Sequence, residues 1–311
     1  MTPRVSVVMA AKNYARFLPQ AVDSVLAQTE RDWELVVIDD GSTDATPEAV
    51  RPYLGDARVR YVRSDRLGQS RAKNLGLRLS RAPLVAYLDA DDAWLPTKLA
   101  SQLAALDAEP SAGVCYCLRA FLDEAGAVPP DRAPVPASGY PTGDVKRAIF
   151  SRNFVCFSSV VVRRRVLDHV GGFDPALDLA IDYDLWLRVA RHYGFACVPE
   201  PLVLYRTGHG NLSQRLSDRV QTAVCIKARA LERRGLAAEL PPGVVGEGYA
   251  STYRALAYAM RSTELRSAAG WYWRALHSGR AWPALKGLLG LVKPLLRGRG
   301  PATGPNATAN R

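Results

Sequence analysis

The sequence predicts an α/β fold: a mainly parallel central sheet with flanking helices, followed by a helical C-terminal region. Three observations carry this. Short, nearly continuous apolar runs recur through the first hundred residues, at 5–9, 34–38, 59–62 and 84–88, and read as strands buried on both faces. Segments with apolar residues at helical spacing alternate with them, the pattern of a parallel sheet covered on both sides. Beyond about Leu216 the pattern becomes helical and more basic.

In order along the chain, Val5-Ser6-Val7-Val8-Met9 forms the first strand. Leu18, Val22, Val25 and Leu26 then mark the inner face of a helix, with Asp23 and Gln28 off that face. Glu34-Leu35-Val36-Val37-Ile38 is the second strand and stops at the turn cluster Asp39-Asp40-Gly41-Ser42. A helix follows from about Pro47, and a third strand covers 59–62. Leu75 and Leu79 share one side of a helix over 70–80, and Leu84-Val85-Ala86-Tyr87-Leu88 runs into Asp89-Ala90-Asp91-Asp92. Residues 120–145 are rich in Pro, Gly and Ala and predict an irregular connector. Strand-like content returns over 149–162, and 182–192 is helical, with Leu185 and Val189 inward and Trp186 beside them. Within 281–297 a leucine-rich stretch carries Lys286, Lys293 and Arg297, and Pro294 ends or kinks its helix. Residues 298–311 read as a disordered tail.

Composition narrows the function classes. The chain has 311 residues, 48% of them hydrophobic, enough for one sizeable core. A net charge of +11 favours polyanionic partners without choosing among nucleotides, nucleic acid and acidic lipid; a merely solubilising surface reads equally well. The five cysteines form no C-x-x-C pair and are odd in number, which speaks against a zinc site or a disulfide framework and for buried thiols in a reducing compartment. No secretory signal is visible, and no apolar run approaches the roughly 18 residues of a membrane span. The expected location is the cytoplasm, with peripheral contact on the inner, anionic face of the cell membrane as a second reading of the basic, leucine-rich C-terminal helices. No nucleic-acid motif or basic-aromatic interleaving supports a nucleic-acid partner.

The chemistry concentrates at strand ends. Parallel strands deliver the residues beyond their carboxyl ends to one rim, where ligands of such sheets bind. Here two strands end in grouped acids, Asp39 with Asp40 and Asp89 with Asp91 and Asp92. One such group is ordinarily a turn former. Two on one rim point to a site, because like charges gathered there are costly unless a cation or ligand donors offset them. Alternating carboxylates suit a hard divalent ion, Mg²⁺ or Mn²⁺, which in turn neutralises a phosphate leaving group.

The order and spacing of motifs add a family. Val5-Ser6-Val7-Val8-Met9 with Asn13-Tyr14, Ser24-Val25-Leu26-Ala27-Gln28-Thr29, Trp33 through Asp44, Ala72-Lys73-Asn74-Leu75-Gly76 and Tyr87-Leu88-Asp89-Ala90-Asp91-Asp92 resemble glycosyltransferase family 2, with its nucleotide-diphospho-sugar transferase (GT-A) fold. Gly171-Gly172-Phe173-Asp174, Asp182-Tyr183-Asp184-Leu185-Trp186 and Tyr205-Arg206 with His209, Asn211 and Ser213 extend the resemblance over roughly residues 4–215. It implies a catalytic domain over 1–215, with a nucleotide-binding half to about 110 and an acceptor half from 111; the helical pattern beyond it covers 216–297.

The resemblance also implies roles. Asp40 binds the nucleotide base with Asp39 beside it, Ala10 and Ala11 approach the base through their backbone, and Asp89 contacts ribose. Arg71 and Lys73 lie near the predicted nucleotide rim or on a solvated helix face. Asp91, Asp92 and His209 are metal candidates. Asp182 is the general base that deprotonates the acceptor hydroxyl, so that attack inverts the anomeric centre. Ile181 departs from the family, many of whose members carry Glu there. Arg206 is a phosphate candidate or an ion-pairing residue, and Trp94 and Trp186 are sugar-stacking candidates or core residues. The implied partners are a nucleotide-diphosphate sugar donor and a sugar or lipid-linked acceptor, in surface polysaccharide or glycolipid assembly. Two rivals remain. A non-catalytic nucleotide-sugar-binding protein would not need Asp182. A sugar-phosphate nucleotidyltransferase usually carries a Gly-rich basic loop after its first strand, where this chain has Ala10-Ala11-Lys12-Asn13-Tyr14.

Overall fold

The computed structural model describes residues 2–127, 139–208, 215–232, 235–241, 243–260 and 265–278. Strand β1 (Val5–Ala11) lies between β2 (Trp33–Asp39) and β4 (Leu84–Tyr87) and is parallel to both. β3 (Val59–Arg63) adds to β2 in the same direction. Helices α1 (Leu18–Leu26), α2 (Thr46–Val50) and α3 (Gln69–Leu79) make the crossovers. The apolar runs are continuous because both faces are covered: Val5, Val7, Met9, Leu35 and Val37 join a core with Leu18 and Val22 of α1, while Val36, Ile38 and Ala72 of α3 pack together on the opposite side.

One glycine explains a motif. A Cβ on Gly76 would meet the Val8 Cγ1 at 2.4 Å, so only glycine lets α3 seat this closely on the sheet. Two residues earlier, Asn74 pairs reciprocally with the backbone of Phe173, donating to its carbonyl at 2.8 Å and accepting from its amide at 2.9 Å. The helix is thereby clasped to the Gly171-Gly172-Phe173-Asp174 turn.

The second half of the sheet is mixed. The full order is β3-β2-β1-β4-β7-β6-β8-β5, where β5 is Ala93–Trp94, β6 Ala112–Leu122, β7 Val161–Arg163 and β8 Gly194–Arg206. β7 is antiparallel to both β4 and β6, β8 is parallel to β6, and β5 is antiparallel to β8. Helix α4 (Lys98–Ala108) covers this half, and α5 (Lys146–Ser151), α6 (Arg164–Val170) and α7 (Ile181–Ala190) precede β8. The strand-like content read over 149–162 is mostly something else: the end of α5, a 3-10 turn at Phe157–Ser159 and the start of the short β7. β8 is hidden in the sequence by Pro199 and Pro201, which the sheet accepts where the β6–β8 register shifts.

The chain divides into two compact units, Met1–Pro242 and Gly243–Arg311. The first includes α8 (Leu216–Glu232). In the second, α9 (Val244–Met260) and α10 (Leu265–Ser278) pack together through stacked Tyr249, Tyr253 and Trp271. The leucine-rich stretch 281–297, the tail 298–311 and the middle of the Pro-rich connector lie outside the described residues. No helix among the described residues is long and apolar enough to cross a membrane.

Candidate active site

The strand ends open into one cleft of about 820 Å³, whose walls include Asp40, Asp89, Asp91 and Asp182. Ala10, Ala11 and Lys12, at and beyond the end of β1, and Lys73 of α3 line the β1–β4 side. Asn153 and the 178–182 segment line the side that carries Asp182.

The loop after β4 is built around one hydroxyl. Ser158 Oγ accepts the Asp89 amide at 3.1 Å and donates to Asp92 Oδ2. Asp92 Oδ1 accepts the Arg206 amide at 2.9 Å, and Arg206 Nε donates to the Asp91 carbonyl at 2.8 Å. Asp92 is therefore gripped from behind, while Asp89 and Asp91 turn into the cleft. One carboxylate oxygen from each of the three lies within 4.8 Å of the others. Burial, then repulsion from Asp91 and Asp89, raises the Asp92 carboxyl well above its ordinary range. Burial also raises Asp89, against the opposing pull of Lys73, whose Nζ is 2.9 Å from Asp89 Oδ1. The Tyr14 phenol beside them is raised by burial and by the same three acids. Crowded hard oxygens with this excess of negative charge fit a divalent cation of the Mg²⁺ or Mn²⁺ type.

Asp182 stands in the first turn of α7, after Ala180, which turns the chain at φ +52°. Its Oδ2 accepts a 2.9 Å hydrogen bond from Asn153 Nδ2. Ile181 is buried in the core, so no carboxylate adjoins Asp182 from that position. Asn153 supplies the partner, and the sequence reading missed it. The only signal available was the departure at Ile181, because Asn153 lies in an unpatterned loop 29 residues earlier.

The family model for glycosyl transferase family 2 matches residues 6–171, more than half of the chain. The chain belongs to glycosyltransferase family 2. An uncharacterized glycosyltransferase of Methanocaldococcus jannaschii is 28% identical over 66% of this chain and 71% of its own length. The succinoglycan biosynthesis protein ExoU of Rhizobium meliloti is 35% identical over 59% of this chain and 56% of its own. This glycosyltransferase thus spans little more than half the length of some relatives. Among solved structures, the mannosyltransferase PcManGT from Pyrobaculum calidifontis, in complex with GDP-Man and Mn²⁺, superposes with a TM-score of 0.64 at 22% identity, covering 95% of this chain and 81% of its own. TarS 1-349 of S. aureus, in complex with UDP-GlcNAc, gives 0.58 at 14% identity, with coverages of 96% and 92%. At these identities the likeness is one of fold, and the fold is GT-A.

The candidates of the glycosyltransferase divide into those that line the cleft and those that do not. Arg71 is exposed and absent from the cleft wall, while Lys73 faces in; two residues along a helix rotate a side chain by about 200°. Asp39 is fully buried, with Oδ1 accepting the Ser42 amide at 2.8 Å and Oδ2 accepting the Tyr61 hydroxyl, so it shapes the turn behind the cleft. Arg206 does not line the cleft: it is buried, its Nη1 donates to the Asp123 and Glu124 carbonyls, and its Nη2 donates to Gln20. Trp94 is core, with Nε1 donating to the Ser158 carbonyl at 2.8 Å. Trp186 is core too, fully buried with its ring edge-on to Phe195. His209 lies outside the described residues.

Proposed function

We propose that this glycosyltransferase moves a sugar, with inversion, from a nucleotide diphosphate to an acceptor hydroxyl deprotonated by Asp182. The carrying observation is that Asp182 and the Asp89–Asp91 loop face one cleft from opposite sides of the same unit. Asp89, Asp91 and Asp92 would hold Mg²⁺ or Mn²⁺, which supplies neutralisation of the diphosphate leaving group.

The chain's own residues supply the rest. Asp40 lines the cleft with its oxygens held by the Gly68 amide at 3.0 Å, the Leu67 amide and the Ser64 hydroxyl, which fixes the 64–68 loop as a wall beside the base. Ala10 and Ala11, small residues at the end of β1, line the cleft where that base would lie. Lys73 brings a buried ammonium to the phosphate side, backed at 3.8 Å by the Phe157 ring. Asn153 holds one oxygen of Asp182 and fixes the carboxylate's orientation, leaving the other to take the acceptor proton. Surface polysaccharide or glycolipid assembly is the setting favoured by the likeness to a succinoglycan biosynthesis protein.

The test is a donor screen that measures nucleotide diphosphate release with Mg²⁺ or Mn²⁺. One donor class should turn over in wild type, and Asp182→Asn should lower its transfer rate by about a thousandfold while retaining nucleotide binding. Retained transfer in that variant would remove Asp182 as the base. No turnover with any donor would favour the non-catalytic binding reading.

A further inference from the structure

Helix α8 is fixed to the Asp182 side of the first unit by its C-terminal half. Arg229 Nη1 pairs with Asp174 Oδ2, in the turn between α6 and α7. The Lys227 ammonium sits 5.1 Å from the centroid of Phe150 in α5, Ile226 and Ala230 are buried, and α8 packs against α7 itself. These contacts carry its opposite end to the cleft mouth, where Arg215 and Arg219 both join the wall.

Arg215 immediately precedes α8 and Arg219 stands in its first turn, with the Arg219 amide donating to the Arg215 carbonyl at 3.0 Å, so the two are neighbours on the cleft wall. Arg215 is exposed, and its ion pair among the described residues is a local one, to Asp218 at 2.7 Å. Arg219 is half-buried and makes no ion pair among the described residues. The β1–β4 side of the cleft has its own cations, Lys12 and Lys73, in addition to the acidic loop suited to a metal. The arginines are thus surplus to what the donor diphosphate needs, and they stand on the side of the general base. Two guanidiniums present several forked N–H donors and a double positive charge, a better match to a phosphate group than to a single carboxylate.

We propose that Arg215 and Arg219 clamp a phosphate group carried by the acceptor, making this an enzyme for phosphate-bearing acceptors. The inference rests on the glycosyltransferase reading of the cleft. The phosphate is that of a soluble sugar phosphate or of a sugar joined through phosphate to a lipid; both present phosphate oxygens to the clamp, and the sugar carries the hydroxyl that Asp182 would deprotonate.

The experiment is calorimetric titration of the full chain with Mg²⁺ and saturating UDP or GDP, whichever binds. The probes are glucose 1-phosphate and, in detergent micelles, farnesyl phosphate, with glucose as the neutral control. Wild type should bind at least one phosphate probe and not glucose, and the tighter of the two identifies the source. Arg215→Gln with Arg219→Gln should weaken that binding by about tenfold or more, and Arg219→Lys should recover part of it. Nucleotide affinity and the melting temperature should stay unchanged in both variants.

Three results would overturn the clamp: no phosphate binding by wild type, unchanged binding in the double variant, or an equal loss of nucleotide affinity, which would assign the arginines to the donor. If neither UDP nor GDP binds wild type, the failure lies with the reading of the cleft and not with the clamp alone.

Discussion

Asp39 and Asp40 close β2, and Asp89, Asp91 and Asp92 come after β4, but the two groups of carboxylates live under opposite electrostatic conditions. The first group is satisfied from within: backbone amides of Ser42, Leu67 and Gly68 and the hydroxyls of Tyr61 and Ser64 cover its oxygens. The second is crowded against itself, and burial with mutual repulsion pushes Asp89 and Asp92 toward the protonated form. The first group uses charge to build a turn. The second stores unfavourable charge that a divalent cation would relieve. The same residue type at comparable strand ends is therefore satisfied by its own chain in one place and left with unrelieved charge in the other.

The largest effect expected is catalytic and lies across the cleft from both groups. Asp182→Asn should lower the transfer rate by about a thousandfold, as removal of a positioned base does, with nucleotide affinity unchanged. Next comes the direct break of the comparison. Asp39→Ala should cost about 2 kcal/mol of stability in urea unfolding, because a buried amide and a half-buried hydroxyl lose their acceptor. Asp91→Asn should instead raise the melting temperature of metal-free protein and abolish its stabilisation by Mn²⁺. If both variants destabilise alike, the contrast fails.

Asn153→Ala should lower kcat about tenfold with donor KM unchanged, since it loosens the base and not the nucleotide. The smallest effect belongs to a buried charge with no ligand. Lys98 is fully buried, donates to Gln102 at 2.7 Å, and is pushed down to about 8 by burial. Its unfolded value is near 10.4, so the unfolded chain binds more protons between about pH 8 and 10.4, and Lys98's contribution to stability improves as pH rises through that window. Lys98→Met should exceed wild type at pH 7 by on the order of 1 kcal/mol, a gap that narrows toward pH 10.

How much of this was legible in the sequence depended on whether a residue's role can be read from its local pattern. Continuous apolar runs marked β1, β2, β3 and β4, because strands covered on both faces need no alternation. The acidic tips and Asp182 were legible from motif order, and the structure brings Asp40, Asp91 and Asp182 to one cleft. Arg71 and Lys73 both lay near the rim in sequence, and only Lys73 faces in, since proximity in sequence says little about the face of a helix. Arg206 and Trp94 stood close to the motifs and proved to be the scaffold that holds them. Asn153 had no local pattern at all; its value comes from a tertiary contact to Asp182. β8 escaped because two prolines interrupt it, and only pairing with β6 shows why they are tolerated.

The most direct test of the acidic loop as a cation-dependent nucleotide site facing Asp182 is calorimetric binding of the cognate nucleoside diphosphate with Mn²⁺ and with EDTA. Wild type and Asp182→Asn should bind alike with Mn²⁺ and lose binding with EDTA, and Asp91→Asn should bind poorly in both. Equal binding by wild type with EDTA and with Mn²⁺ would contradict it.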